Sequence, residues 1–173
     1  MKKQIITISG SPGSGKSSAA ILIAKKLKYK HFSGGDTMRK IALKKKISLN
    51  ELSAQNEKND STDKLVDELI KKNGEKNKMI IDSRTAFHFI TNSFKIYLDL
   101  IPKIAAQRIF NNFKENILRT KTEKEISKKT STKKITKEIQ KIYEKIIQRQ
   151  KSDKIRFKKY YGSVFYYPVP TGD

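Results

Sequence analysis

The sequence predicts one α/β domain over residues 1–173, in which helices cover both faces of a parallel β-sheet. Short apolar runs typical of buried strands, such as residues 4–9 and 79–81, alternate with longer segments whose apolar residues recur at helical spacing. Strands that alternate with helices favour a parallel sheet, because parallel neighbours need long crossover connections. A glycine-rich segment joins the first strand to the first helix, at residues 10–15.

Residues that cap helices mark the elements of the first half. Asp36, after the glycine pair that closes a strand at 30–32, is predicted to be a helix N-cap. Ser48 followed by Glu51 has the spacing of a capping box. A further helix is predicted over 61–73, with an apolar stripe facing the core. The stripe residues are Leu65, Val66, Leu69 and Ile70.

The second half continues the alternation and then changes in composition. Strands at 79–81 and 94–98 precede a helix opened by Pro102, since proline is favoured in a first helical turn. Residues 120–136 are almost all Lys, Thr, Ser and Glu, so we expect a lid or a solvated connection there. A last long helix, resuming near Thr136, ends before Gly162.

Composition limits the function classes. The net charge of +22 is compatible with nucleic-acid binding or with a lysine-rich composition that serves solubility and steering. Only six of the 39 basic residues are arginines, the residue type that reads phosphates and bases best, so specific nucleic-acid binding is not expected. The chain has no cysteine and no apolar run long enough to cross a membrane. We expect a cytoplasmic protein, with a monomer as the simplest state.

Residues 10–17 fit the phosphate-binding loop (P-loop) pattern G-x-x-x-x-G-K-[ST] without a mismatch. A strand enters this segment and a helix leaves it, a context that a chance glycine-rich turn would not explain. The loop amides would cradle the phosphates of ATP, Lys16 would reach the β- and γ-phosphates, and Ser17 would ligate Mg²⁺. The expected ATP-binding residues are Gly10, Ser11, Pro12, Gly13, Ser14, Gly15, Lys16, Ser17, Ser18 and Arg108.

Charged residues elsewhere suggest which kind of P-loop protein this is. The Asn-Lys-x-Asp segment by which a GTPase reads guanine is absent. A small-molecule kinase needs arginines from several segments to position and neutralise phosphates, and the arginines here are spread in that way, at positions 39, 84, 108, 149 and 156. Asp82 ends a strand, as an acid that holds Mg²⁺ through water would, although a turn residue is the alternative. His31 and His88 are isolated and are expected to be structural.

Together these segments resemble the cytidylate kinases, in particular their short archaeal-type branch, over residues 4–162. The resemblance rests on the P-loop and on the segments Ser33-Gly34-Gly35-Asp36-Thr37-Met38-Arg39, Ser48-Leu49-Asn50-Glu51-Leu52, Ile81-Asp82-Ser83-Arg84 and Arg149-x3-Asp153-x2-Arg156. It implies a P-loop fold with a helical acceptor-binding insert at 36–73 and a lid at 120–136. It also implies transfer of the ATP γ-phosphoryl group to CMP or dCMP with Mg²⁺.

The resemblance assigns site residues by position. Arg39, Arg84 and Arg156 match arginines that grip the acceptor's phosphate, while Arg149 and Asp153 match positions near its sugar and the lid. The expected catalytic residues are thus Lys16, Arg149 and Arg156. The expected acceptor-binding residues are Asp36, Arg39, Arg84 and Asp153, and the expected metal ligands are Ser17 and Asp82. Many bacterial members carry a cytosine-reading acid directly after the residue matching Arg84, where this chain has Thr85.

Spacing bears independently on the last motif. Positions 149, 153 and 156 are four and then three residues apart, so they project from one helix face. The alternative for this face is a solvated ladder of salt bridges. Two alternative functions also stay open: another small-molecule kinase, of the adenylate type or with a non-nucleotide acceptor, and a nucleic-acid-associated ATP-binding protein without kinase activity.

Overall fold

The computed structural model describes residues 4–120 and 132–162, with side chains for 4–115 and 135–162. Its sheet has four strands in the order β2-β3-β1-β4, and every neighbouring pair is parallel. The strands are β1 (Ile5–Gly10), β2 (Lys30–Ser33), β3 (Met79–Asp82) and β4 (Phe94–Leu98). The predicted parallel α/β fold is therefore confirmed.

Seven helices lie within the described residues. They are α1 (Lys16–Leu27), α2 (Gly34–Lys44), α3 (Leu49–Lys58), α4 (Ser61–Gly74), α5 (Ala86–Phe89), α6 (Pro102–Thr120) and α7 (Thr132–Tyr161). None of them combines the length and the apolar character that crossing a membrane requires. The short helix α5 was not predicted.

The core has three parts, and the sheet separates the first two. On one face, Ile8 and Ile80 pack against alanines of α1. On the other face, a larger cluster joins β3 to α2, α3 and α4 through residues such as Leu52 and Ile70. A third cluster, centred on Ala105 of α6, packs α6 against α7. The layered arrangement leaves the carboxyl ends of β1 and β3 as the edge at which a ligand site can form.

Several local predictions are confirmed to the residue. Helix α1 and strand β4 have the predicted bounds. Both hydrogen bonds of the predicted capping box are present: the Ser48 hydroxyl accepts from the Glu51 amide, and the Glu51 carboxylate accepts from the Ser48 amide. These features depend on neighbours within a few residues, which the sequence displays directly.

Two local predictions are wrong. The N-cap of α2 is Ser33, whose hydroxyl accepts from the backbone N–H of Asp36, so that Asp36 lies inside the first turn. In α4 the buried face is shifted from the expected stripe. Leu65 is exposed, while Asp63 and Asp67 are buried beside Val66 and Ile70. The reason is the ligand-site chemistry described below, which places polar partners opposite this helix.

The predicted lid lies largely outside the described residues, which omit 121–131. Helix α6 continues to Thr120 and α7 begins at Thr132, about four residues earlier than expected. The lid and the subdivision of the domain therefore stay predictions.

Candidate active site

A cavity of about 540 Å³ opens at the carboxyl ends of β1 and β3. Its wall is formed by the P-loop, by α2 and α4, by the segment after β3, and by α6 and α7. Many of the predicted site residues line it: Pro12, Gly13, Gly15, Lys16, Ser17, Ser18, Arg39, Asp82, Arg84, Arg108, Arg149 and Arg156. Side chains up to about 140 residues apart in sequence thus face one space.

The backbone of the P-loop requires its glycines. Gly10 has φ +143°, and a β-carbon there would collide with the backbone carbonyl oxygen of Leu98 on the neighbouring strand. Gly15, the N-cap of α1, has φ +90°, a conformation that other residues rarely adopt. The first turn of α1 contains no acidic residue and no side chain caps it. Its amides and dipole are therefore available to an anion such as a phosphate.

Lys16 is held against the loop that precedes it. Its Nζ donates to the backbone oxygen of Ser11 at 2.6 Å, and the Ser11 hydroxyl donates to Asp99 at 2.7 Å. Burial lowers the pKa of Lys16 to about 8, and the positive charge of Arg84 contributes in the same direction. A bound phosphate would reverse part of that shift, so Lys16 is prepared for an anionic ligand.

The donor set for Mg²⁺ fits the cavity. Ser17 and Asp82 both line it, and Asp82 is only 3% exposed. Asp82 Oδ2 accepts no hydrogen bond from any residue the structure describes, and its neighbour is His31 Nε2 at 3.8 Å. A buried carboxylate oxygen in that position suits a cation or its bound water. No group of three or more His, Cys, Asp or Glu side chains gathers elsewhere in the described part.

Buried charges join α4, α7 and the segment after β3. The guanidinium of Arg156 donates to Asp63 and, at 2.5 Å, to Asp153, and Asp153 also pairs with Arg84. Arg156 is 1% exposed and Asp153 is fully buried. This burial excludes the solvated salt-bridge ladder. Asp153 does not itself line the cavity, so its contact is with the two arginines that do.

The remaining predicted residues differ in placement. Arg39 lines the cavity and pairs with Asp36, and both side chains are more than half exposed. Asp36 does not line the cavity. Arg108 on α6 and Arg149 on α7 also line the cavity. Gly10, Ser11 and Ser14 shape the P-loop without lining the cavity.

The sequence reasoning missed a polar group at the α4 wall. Asp67 Oδ1 accepts from the Thr85 hydroxyl at 3.2 Å, and Oδ2 accepts from the Tyr161 hydroxyl. Burial raises the pKa of Asp67 to about 6, against the lowering effect of these two hydrogen bonds. The pKa of Tyr161 is raised too, by burial and by its bond to Asp67, so Tyr161 stays a donor. The sequence did contain a sign of this polar group: Asp63 and Asp67 lie on the same face of the predicted helix as the apolar residue Val66.

Helix α7 is fastened to α3 next to this wall. The Tyr160 hydroxyl donates to the backbone oxygen of Asn56 at 2.9 Å, and the Ser152 hydroxyl donates to that of Ser53 at 3.3 Å. His88 packs against the ring of Tyr161, as a structural residue does. The position of the α7 side chains in the cavity is thus fixed by long-range contacts.

Comparison with known proteins finds relatives of this chain by sequence and by fold. A family model described as "AAA domain" matches residues 9–110. The cytidylate kinase of Sulfurisphaera tokodaii is 33% identical over 161 residues, which are 91% of this chain and 77% of that protein. The cytidylate kinase of Archaeoglobus fulgidus is 37% identical over 106 residues, 60% of this chain. The match spans only 59% of the Archaeoglobus protein, less than two thirds of its length.

Among solved structures, the shikimate kinase of Bacteroides thetaiotaomicron superimposes with a TM-score of 0.53 at 16% identity. The superposition covers 90% of this chain and 82% of that one. At this identity the likeness shows the fold alone.

Proposed function

The chain belongs to the cytidylate kinase family, and on that basis we propose that it transfers the γ-phosphoryl group of ATP to CMP or dCMP. The products are ADP and the corresponding nucleoside diphosphate. The observation that carries the proposal is the cavity itself, in which Lys16 and the P-loop face the same space as Arg39, Arg84 and Arg156. Such a site can hold two phosphate groups next to each other.

Phosphoryl transfer needs positioning and charge neutralisation more than covalent chemistry by the protein. In the proposed reaction an oxygen of the acceptor's phosphate attacks the γ-phosphorus as the bond to the β,γ-bridging oxygen breaks, and ADP leaves. Lys16 and the first amides of α1 hold the β- and γ-phosphates in this step. Arg149 and Arg108, which also line the cavity, neutralise charge that spreads over the transferred group.

The acceptor's phosphate is assigned to Arg84 and to the residues that hold its side chain in place. Arg84 lines the cavity and is held by Asp153, which in turn is held by Arg156. This arrangement fixes the direction of the Arg84 guanidinium before substrate arrives, which lowers the cost of binding an anion. Ser17 and Asp82 would hold Mg²⁺, which would supply charge neutralisation to the phosphates of ATP.

The two alternative functions have less support. A nucleic-acid-associated protein would leave the buried arginine network unexplained, and a non-nucleotide acceptor would not need the acidic α4 wall. We place the reaction in the cytoplasm and propose no specific nucleic-acid partner.

A panel of acceptors tests the proposal. The purified protein is incubated with ATP, Mg²⁺ and one of CMP, dCMP, UMP, AMP or shikimate, and ADP formation is followed. We expect CMP and dCMP to have the highest kcat/KM. A kcat/KM for AMP equal to that for CMP would favour an adenylate-type kinase. ADP formation with shikimate, and with none of the nucleoside monophosphates, would favour a non-nucleotide acceptor.

A further inference from the structure

Asp67 is a buried acid in the cavity wall, and the proposed reaction gives it no role. It lines the cavity while only 6% of its surface is exposed. The other buried acid of α4, Asp63, is paired with Arg156. Asp67 has no ion-pair partner within the described residues, and the nearest lysine on its helix, Lys71, pairs with Glu68. A buried carboxyl without a cation is costly, so its retention calls for a ligand.

The orientation of this carboxyl is fixed from two sides. Thr85, from the segment after β3, bonds to Oδ1, and Tyr161, from the end of α7, bonds to Oδ2. Each carboxyl oxygen has two lone pairs and uses one of them here. Asp67 can therefore accept further hydrogen bonds without giving up its two hydroxyl donors.

Apolar side chains also line the cavity, among them Met38 of α2 and Val66 of α4. Phe157 of α7 lines it too, and the centroid of its ring lies 5.8 Å from that of Tyr161, the donor to Asp67. Apolar surface with one oriented polar group suits a flat ring that carries a hydrogen-bonding edge. A nucleobase is such a ring, whereas a carboxylate or phosphate would be repelled by Asp67.

The chemistry of the carboxyl selects among bases. Cytosine presents an exocyclic amine, which donates, beside the ring nitrogen N3, which accepts. Uracil presents a carbonyl oxygen in place of the amine, and its lone pairs would face those of the carboxylate.

We propose that Asp67, oriented by Thr85 and Tyr161, is the residue that recognises the amino edge of the acceptor's cytosine. This inference rests on the proposed function, since it assigns specificity within that reaction. Asp67 would contact the base and not the reacting phosphates, so its loss should alter the choice of acceptor and leave ATP binding unchanged.

The test combines a change in the protein with a change in the ligand. Asp67→Asn is compared with Glu68→Gln, which removes the same charge from an exposed position of the same helix. In Asp67→Asn we expect kcat/KM for CMP to fall ~10- to 100-fold and the CMP/UMP preference to fall at least ~10-fold. The affinity for a fluorescent ATP analogue should change less than about twofold, and Glu68→Gln should behave as the wild type.

The ligand arm uses the pyrimidin-2-one nucleoside monophosphate, which is CMP without its amine. Loss of the amine should lower kcat/KM strongly in the wild type and less in Asp67→Asn, because the amide lacks the charge that strengthens a hydrogen bond from the amine. An equal cost in both proteins would overturn the assignment, as would an unchanged CMP/UMP preference in Asp67→Asn.

Two further outcomes keep the two proposals distinct. A wild type that phosphorylates no nucleoside monophosphate would overturn the proposed function together with this inference. A wild type that uses CMP, beside an Asp67→Asn variant with unaltered preference, would overturn this inference alone. If Asp67→Asn does not fold, Tyr161→Phe decides: loss of one orienting hydroxyl should weaken the CMP/UMP preference, and an unchanged preference would contradict the assignment.

Discussion

The two ends of the cavity are built in different ways. The end proposed to bind ATP, the ATP end, is a continuous run of residues from Gly10 to Ser18, whose backbone amides would supply most of the binding groups. The end proposed to bind the acceptor, the acceptor end, is assembled from α2, α4, the segment after β3 and α7. Its side chains are linked by buried ion pairs and hydrogen bonds. At the ATP end, the groups that would bind the ligand are largely not the groups that stabilise the fold. At the acceptor end, the same side chains would bind the ligand and stabilise the fold through buried ion pairs.

This difference has a consequence for substitutions. At the ATP end, Lys16 can be removed without leaving a buried charge unpaired, because its partner is a backbone oxygen that also accepts from the Ser14 amide. Activity and stability should therefore separate there. A side chain in the acceptor network leaves an uncompensated charge behind, and both properties should change together.

Lys16→Ala gives the largest expected effect and separates activity from stability. Removing the charge that follows the transferred phosphoryl group should lower kcat by ~1000-fold or more, from a loss of about 4 kcal/mol of transition-state stabilisation. The free energy of unfolding should be unchanged or slightly higher, since a buried charge with a lowered pKa is lost. Steady-state kinetics and denaturant titration measure the two quantities. Near-normal turnover of Lys16→Ala would show that Lys16 does not stabilise the transition state.

Arg156→Met should affect both properties. It leaves Asp63 and Asp153 without the guanidinium that joins them, which should cost about 3–5 kcal/mol of unfolding free energy. The kcat/KM for CMP should fall ~30- to 1000-fold, while ATP-analogue affinity changes little. Arg156→Lys should recover only part of either loss, because a point charge cannot replace the fork.

The matched control for Arg156→Met is Lys154→Met, which removes a positive charge from an exposed position of the same helix. Denaturation and kinetics should leave this variant close to the wild type. If Arg156→Met and Lys154→Met have the same stability and the same kcat/KM for CMP, the buried ion pairs do not link stability to acceptor use. The proposed difference between the two ends of the cavity would then be wrong.

The smallest expected effect is a pH dependence of ATP binding. Lys16 has a pKa of about 8 in the free protein, and the phosphates should raise it, so binding takes up a proton above pH 8. Affinity should be constant from pH 7 to 8 and then weaken by up to ~10-fold per pH unit until the pKa of the complex is reached. Titration of a fluorescent ATP analogue measures it, and Lys16→Ala should lose the dependence. A flat wild-type profile would mean that Lys16 does not contact the phosphates.

The same contrast separates what could be predicted from what could not. The capping box at Ser48 and the bounds of α1 were predictable because their partners lie within a few residues. The apolar stripe of α4 was misplaced because Leu65 is more hydrophobic than Asp67, and the partners that make Asp67 a buried residue lie 18 and 94 residues further along the chain. The N-cap at Ser33 was missed because Asp36, three residues later, is also of a residue type that caps helices.

The sequence by itself determined the phosphate-binding loop, the strand and helix on either side of it, the parallel sheet, and the arginines available to a kinase. These follow from glycine conformation, hydrophobic period and residue chemistry, which are local properties. The tertiary structure alone decided which charges are buried together: that Arg156 joins Asp63 to Asp153, and that Thr85 and Tyr161 orient Asp67. A buried charge is tolerated only where folding brings its partners to it, and no spacing along one chain specifies that meeting.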